Sequence, residues 1–275
     1  MGGRVKFHAA YNRWLNQVRE IAGYLWQRNW AEANGGNFSA EISELIDTQV
    51  GAGDSAKARK LPRAYPALAG KYFFVTGTGK RFRDLADDPA ANAVIVRIGA
   101  AGDEYHFVWG GADDPDFRPT SELPAHLQMH EVLQQRGATD KVVLHTHPHE
   151  LIALTHLPRY LDQTTLNRAL WAMLPEVVIL IPQGIGLIPY LLTGTQELAT
   201  ATAAALSKGH QVALWEKHGC LATGRDIVEA FDLIDTANKA ARILLTCLQT
   251  GQEPQGLSEQ QINELIAAFK LPTKW

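Results

Sequence analysis

Residues 141–150 read "KVVLHTHPHE", and this stretch constrains the fold more than any other. The apolar run Val142–Leu144 reads as the central strand of a sheet. Pro148 ends that strand, because proline has no N–H for a sheet ladder, and it suits the first turn of a following helix. In an extended chain the side chains alternate faces, so His145 and His147 project to the same side, roughly 6.6 Å apart along the strand. Thr146 faces the other way. Two imidazoles so placed can converge on one ion at Zn–N distances of about 2.0 to 2.1 Å. A strand end carrying two partly exposed histidines has the same sequence. His149 lies beyond the proline, in the expected first helical turn, near the pair but not a ligand.

The rest of the chain supplies layers for that strand. Helical spacing of Trp14, Val18, Ile21, Leu25 and Trp26 predicts a helix that stops near "EANGGNFS", where the twin glycines supply unusual backbone angles. Residues 44–69 read as a variable surface excursion. "KYFFVTG" reads as a buried strand entering the turn "TGTGKRFRD", and "NAVIVRIG" with "YHFVWG" as a strand pair. Helices are expected at "SELPAHLQMHEVLQQR", "TTLNRALWAML", "TGTQELATATAAALSK", "DIVEAFDLIDTANKAARILLTCL" and "SEQQINELIAAF", with a further strand at "EVVILIP". "QVALWEKHGCLATG" reads as strand, histidine turn and strand. Hairpins mix with strand–helix alternation, so the expectation is one α/β domain over 1–275, with a central mixed, mainly antiparallel sheet and helices on both faces.

Composition excludes several classes of function. A net charge of -3, without a Lys/Arg block among aromatics, gives no nucleic-acid surface. Two cysteines, Cys220 and Cys247, make neither a disulfide framework nor a CxxC pair and fit a reducing compartment. The longest apolar run, "VVILIP", is too short to span a membrane, and the N-terminus lacks a signal-peptide plan. Cytoplasm is the expected location. "HEVLQ" lacks the second histidine of the metalloprotease helix, and "GTGKRF" is neither a P-loop nor a dinucleotide fingerprint. Further ligands for the histidine pair are sought in His218 of "WEKHG" and in Glu122, at the start of the helix expected there. His126, one turn beyond Glu122, fits the same face or an ordinary structural role.

Several separated segments, in order from about residue 12 to 250, carry a resemblance: "EANGGNFS", "YFFVTGTGKRFRDLADDPAAN", "YHFVWG", "PTSELPAHLQMH", "VVLHTHPHELIALT", "IPQGIGLIPYLLTGT", "KHGCLATG" and "AFDLIDTANKAARILL". Together they are similar to the zinc-dependent class II sugar-phosphate aldolase family. The resemblance implies that His145, His147 and His218 hold one Zn2+ per subunit, leaving a position open for water or substrate. It implies that Glu122 is the acid–base residue at the carbon of the cleaved bond. Glu176 would serve the departing aldehyde from the neighbouring subunit of a homotetramer. The phosphate would be held by Asn34, Gly35, Gly36, Asn37, Thr78, Gly79, Thr120 and Ser121, whose glycines let backbone N–H groups approach an anion. Lys80 follows this nest.

The implied activity is reversible retro-aldol cleavage of L-rhamnulose 1-phosphate to dihydroxyacetone phosphate and L-lactaldehyde, with a sugar phosphate as the only expected partner besides sister subunits. Cleavage of fuculose phosphate, 4-epimerisation of a pentulose phosphate and dehydration of methylthioribulose phosphate are the enzymatic alternatives, and an adducin-like binding protein the non-enzymatic one. His149 and Glu150 add titratable groups where the family usually has uncharged ones, and residues 44–69 match it poorly.

Overall fold

The computed structural model describes residues 6–47, 58–111, 114 and 116–273. Its elements follow in chain order. Helix α1 (Ala10–Gln27) precedes strand β1 (Asn37–Glu41), the two-residue β2 (Arg59–Lys60) and β3 (Tyr72–Thr76). Two short helices, α2 (Phe82–Asp87) and α3 (Pro89–Asn92), lead into the hairpin β4 (Ala93–Ile98) and β5 (Glu104–Gly110). Helix α4 (Leu123–Gln135) delivers the chain to β6 (Val142–Thr146), and α5 (His149–Leu154), α6 (Gln163–Met173) and α7 (Pro175–Leu180) follow. The rest is β7 (Ile185–Ile188), α8 (Gln196–Ser207), β8 (Val212–Trp215), β9 (Gly219–Gly224), α9 (Ile227–Leu248) and α10 (Glu259–Phe269).

Among the described residues the strands form one nine-stranded sheet in the order β2-β5-β4-β3-β1-β6-β9-β8-β7. Every pair is antiparallel except β7 with β8, so the sheet is mixed and mainly antiparallel. β6 lies inside it, antiparallel to β1 and β9, with Asn37 opposite His145 and Leu221 opposite His145 on the other side. Its alternation is clean. Val142 and Leu144 pack with α1, α5, α6 and α9 on one face, whereas Val143 packs with Met129, Leu133, Leu198 and Leu206 of α4 and α8 on the other. A second patch on the α4 face joins Leu123 and Leu127 to Phe73 and Val75. With Leu144 and Leu127 both fully buried, truncating either to alanine costs about 2–5 kcal/mol.

The helical stripes hold with one exception. Ile227, Phe231, Ile234, Ala237 and Leu244 of α9 are all buried, as are Val18, Ile21 and Leu25 of α1. Trp26 is not part of the stripe: it is 40% exposed, and Arg83 lies over its ring at 5.1 Å. A bulky ring beside a surface cation is satisfied without the core.

Four further expectations change. "EVVILIP" is not a strand but α7 and its end. Leu174 is extended, Pro175 occupies the first turn, and Val177 and Val178 bury adjacent faces against α6 and α9. Strand β7 is instead "IGLI". Pro148 is the residue just before α5, extended at φ -69° and ψ 119°, and His149 opens the helix. The 44–69 excursion is not wholly superficial. Residues 48–57 fall outside the described residues, but Tyr65 and Leu68 are fully buried and Arg59–Lys60 pairs with β5. Near the end of α1 only one of the twin glycines, Gly36, is left-handed, and Asn29 and Ala33 take positive φ before it.

A candidate metal and acid–base site

His145, next to last in β6, sets its ring against Trp215, the centroids 4.4 Å apart. Its Nδ1 meets the Cys220 carbonyl of β9 at 3.1 Å. A carbonyl only accepts, so Nδ1 carries the proton and Nε2 a bare lone pair. His147, just past the strand, meets the Glu32 carboxylate through Nδ1 at 2.7 Å. It therefore also turns Nε2 inward. The two Nε2 atoms lie 3.3 Å apart. Two ring nitrogens that face each other at this range need a proton or a metal ion between them. Two nitrogens on a tetrahedral ion at about 2.05 Å are themselves about 3.3 Å apart.

His218 completes the set from the β8–β9 turn. Candidate ligand atoms of His145, His147 and His218 all lie within 4.8 Å of one another, and the described residues contain no other such cluster. His218 Nδ1 is buried with no hydrogen-bond partner among the described residues, which a metal would supply. The turn is built for the ring. Lys217 is left-handed at φ 59°, and its N–H donates to the buried Thr155 hydroxyl at 2.8 Å. Gly219 must be glycine, since a Cβ there would stand 2.8 Å from the His145 ring and 2.9 Å from that of His147. Gly35 is equally confined, at 3.0 Å from the His147 ring. Burial, and next the charge of His147, hold His145 well below the ordinary imidazole range and push His218 down to about 4. Neutral imidazole is the form that binds metal. The donor set fits a divalent ion.

Glu122 stands at the start of α4. Its Oε2 accepts from Asn37 Nδ2 at 2.8 Å, and its N–H donates to Thr120 Oγ1. Asn37 is the β1 residue opposite His145, so the sheet register brings the carboxylate to the ligand strand. His126 does share this face: Nε2 meets Asn37 Oδ1.

Two of the segments expected at the phosphate are joined directly. Gly77 bridges Pro119, Thr78 N–H donates to the Arg118 carbonyl at 2.9 Å, and Thr120 N–H to that of Thr76 at 2.7 Å. Thr78, Thr120 and Ser121 line a cavity together with Arg59, Lys60 and Arg118. The exposed, left-handed Gly79 sits at the turn beside them. In the third segment Gly35 and Gly36 lie against His147 and the His145 carbonyl, while Asn34 is exposed. Lys80 points its ammonium at the Phe117 ring, 5.4 Å away. Glu176 is not brought to the histidines within its own chain. It is exposed on α7, which packs with α6, α9 and α10 on the face opposite α4. His149 is exposed and outside the cluster, and Glu150 accepts from Asn238 at 2.7 Å.

Sequence reasoning missed Glu32, Thr155, Arg59 and Arg118. None has a periodic or spacing signal, because each reaches the site from a loop or from a residue distant in sequence. Gly219 alone had a local cue, its place beside His218.

The profile of the Class II Aldolase and Adducin N-terminal domain matches residues 16–245. A rhamnulose-1-phosphate aldolase of Bacteroides thetaiotaomicron is 41% identical over 94% of each chain. One of Klebsiella pneumoniae is 38% identical over 90% of this chain and 89% of its own. A sugar-phosphate aldolase from Thermotoga maritima has the same fold, with a TM-score of 0.76 and 30% identity over 90% of this chain and all of its own. With the match spanning most of the sequence and the three histidines gathered at one sheet end, the chain belongs to the class II aldolase and adducin family.

Proposed function

We propose that the protein is a zinc-dependent aldolase that reversibly cleaves L-rhamnulose 1-phosphate to dihydroxyacetone phosphate and L-lactaldehyde. The observation that carries this reading is the His145, His147 and His218 cluster with Glu122 fixed beside its strand, in a chain 41% identical to a rhamnulose-1-phosphate aldolase. When bound by these histidines, zinc supplies Lewis-acid stabilisation for the negative charge that develops on the ketose oxygens.

The chain's own residues do the rest. Glu122 gives a proton to the carbon released by bond cleavage, and removes it from dihydroxyacetone phosphate in the aldol direction. Asn37 holds the carboxylate toward that carbon. The Thr78 and Thr120–Ser121 segments, with Gly79 and the Asn34–Asn37 loop, hold the phosphate. Arg59 and Arg118 in the same cavity favour a dianion there.

Glu176 manages the aldehyde's proton from a second subunit. It shares an exposed face of α7 with Leu180, which is 45% exposed, and Leu157 and Leu161 are also exposed. Apolar side chains around a free carboxylate support a face covered by another copy, in the reading a homotetramer. The reading takes the whole chain as one catalytic domain, and the cytoplasm as its place.

Metal analysis paired with product assays tests this. The purified protein should hold about one divalent ion per chain and favour L-rhamnulose 1-phosphate over fuculose and ribulose phosphates, with cleavage lost on chelation. Cleavage that survives chelation, better turnover of another sugar phosphate, or a metal-free protein without activity sinks the proposal. The last outcome favours an adducin-like binding role.

A further inference from the structure

Behind Glu122 and Asn37 lies a line of polar groups, His126, Ser39 and His130, that neither the metal nor the phosphate needs. Asn37 Nδ2 donates to Glu122 Oε2 at 2.8 Å, and Asn37 Oδ1 contacts His126 Nε2. His126 Nδ1 meets Ser39 Oγ at 2.8 Å, and Ser39 Oγ meets His130 Nε2 at 2.8 Å. Ser39, His126 and His130 are 1%, 2% and 4% exposed. They occupy the contact between β1 and α4, where apolar side chains would pack as well. Four consecutive contacts, running from half-buried groups into fully buried ones, ask for a reason.

The protons in this line have one consistent arrangement. With Nδ2 of Asn37 on the carboxylate, its carbonyl oxygen faces His126 and can only accept, so His126 Nε2 is protonated. Burial keeps His126 neutral, pushing it down to about 4, so its Nδ1 is an acceptor. Ser39 must then donate to it, which leaves the serine oxygen to accept from His130 Nε2–H. Every donor thus points the same way, from His130 through Ser39, His126 and Asn37 to Glu122. Aligned donors polarise one another, and the negative acceptor at the end selects that polarity. The Asn37 amide breaks the line as a path for protons, because passing one would require the amide to change its bonding. The line can orient and polarise Glu122 but cannot feed it.

We propose that His126, Ser39 and His130 form a positioning relay that fixes Asn37 and holds Glu122 as an oriented carboxylate, ready to take a proton from carbon. The inference rests on the aldolase reading. It predicts effects on the proton-transfer step and not on substrate or metal binding.

The half-reaction isolates that step. In D2O the wild-type enzyme should exchange one carbon-bound hydrogen of dihydroxyacetone phosphate without any aldehyde. Ser39→Ala and His130→Leu should each slow exchange, and kcat for cleavage, by about tenfold, with KM and bound metal unchanged. His130→Gln, which returns a donor near the Nε2 position, should restore exchange to within about twofold. In protein labelled with 15N-histidine, the ring shifts of His126 and His130 should report neutral Nε2–H tautomers, with or without metal. If Ser39→Ala does not fold, the His130 pair and the tautomers decide. Wild-type exchange in metal-loaded His130→Leu, a loss in His130→Gln equal to that in His130→Leu, or an Nδ1–H tautomer at either ring would overturn the relay. A wild-type enzyme that exchanges the hydrogen but cleaves a different ketose phosphate overturns only the substrate assignment. One that does neither overturns the aldolase reading and the relay together.

Discussion

At the scale of single residues the site depends on groups that orient ligands as much as on the ligands. Glu32 illustrates this. Its side chain is 63% exposed, yet it holds Nδ1 of His147 and so aims Nε2 at the partner ring. The loop carrying it is tied to the end of β6, where the Trp30 carbonyl accepts from the His147 N–H at 2.9 Å. Removing Glu32 leaves the fold intact but frees the ring to rotate. Glu32→Ala should therefore weaken metal binding by about 10- to 100-fold with no measurable change in unfolding midpoint of the metal-free protein. Competition against a chelating dye measures the first quantity and urea unfolding the second. Metal affinity equal to wild type would show that the ion pair is incidental. No pattern in "AEANGGN" marks Glu32, since a ligand's outer partner has no spacing rule of its own. His145 and His147 were legible because a strand's period of two is a geometric rule written into sequence.

At the scale of elements, β1 and α4 are joined through buried imidazoles, and this makes their contact sensitive to acid. Burial lowers His126 to about 4; burial first, then the charges of His126 and Lys71, lower His130 to about 3. Both folded values lie below the unfolded value near 6.5, so between those limits the unfolded chain binds protons that the folded chain refuses. Stability is then fully present above pH 6.5 and declines as pH falls toward 4 and 3. Each histidine should remove about 2 kcal/mol between pH 7.5 and 5. Urea midpoints of the metal-free protein at the two pH values check this, and His130→Leu should show a smaller drop than wild type. An equal drop in the variant would assign the acid sensitivity elsewhere. The same elements show how far sequence reaches. α9 declares itself because its 22 residues give the helical period six turns to repeat. "EVVILIP" does not, because an apolar run this short reads alike as strand or helix. Only the packing of Val177 and Val178 between α6 and α9 decides it. Trp26 fits the period of α1 but faces Arg83 at the surface, a choice made by tertiary neighbours.

At the scale of the whole molecule, the chain holds Glu122 and Glu176 on opposite faces of one sheet. Both carboxylates can serve one reaction only if the second comes from another copy. A mixing experiment turns that geometry into a number. In Glu122→Ala every site lacks the group proposed for the carbon acid–base step, and in Glu176→Ala every site lacks the group proposed for the aldehyde. Each variant alone should be strongly impaired, by about 100-fold or more. If a site draws Glu122 from one chain and Glu176 from its neighbour, random exchange of subunits pairs two intact residues in about a quarter of sites. Mixed under exchanging conditions, two nearly inactive proteins should then recover up to about a quarter of wild-type cleavage. If both residues served the same chain's site, every site in the mixture would still lack one, and no activity would return. Recovery therefore cannot come from dilution or from refolding of either variant. Failure to recover, with subunit exchange shown by mixed assemblies of tagged and untagged chains, would return Glu176 to the role of an ordinary exposed carboxylate on a short helix.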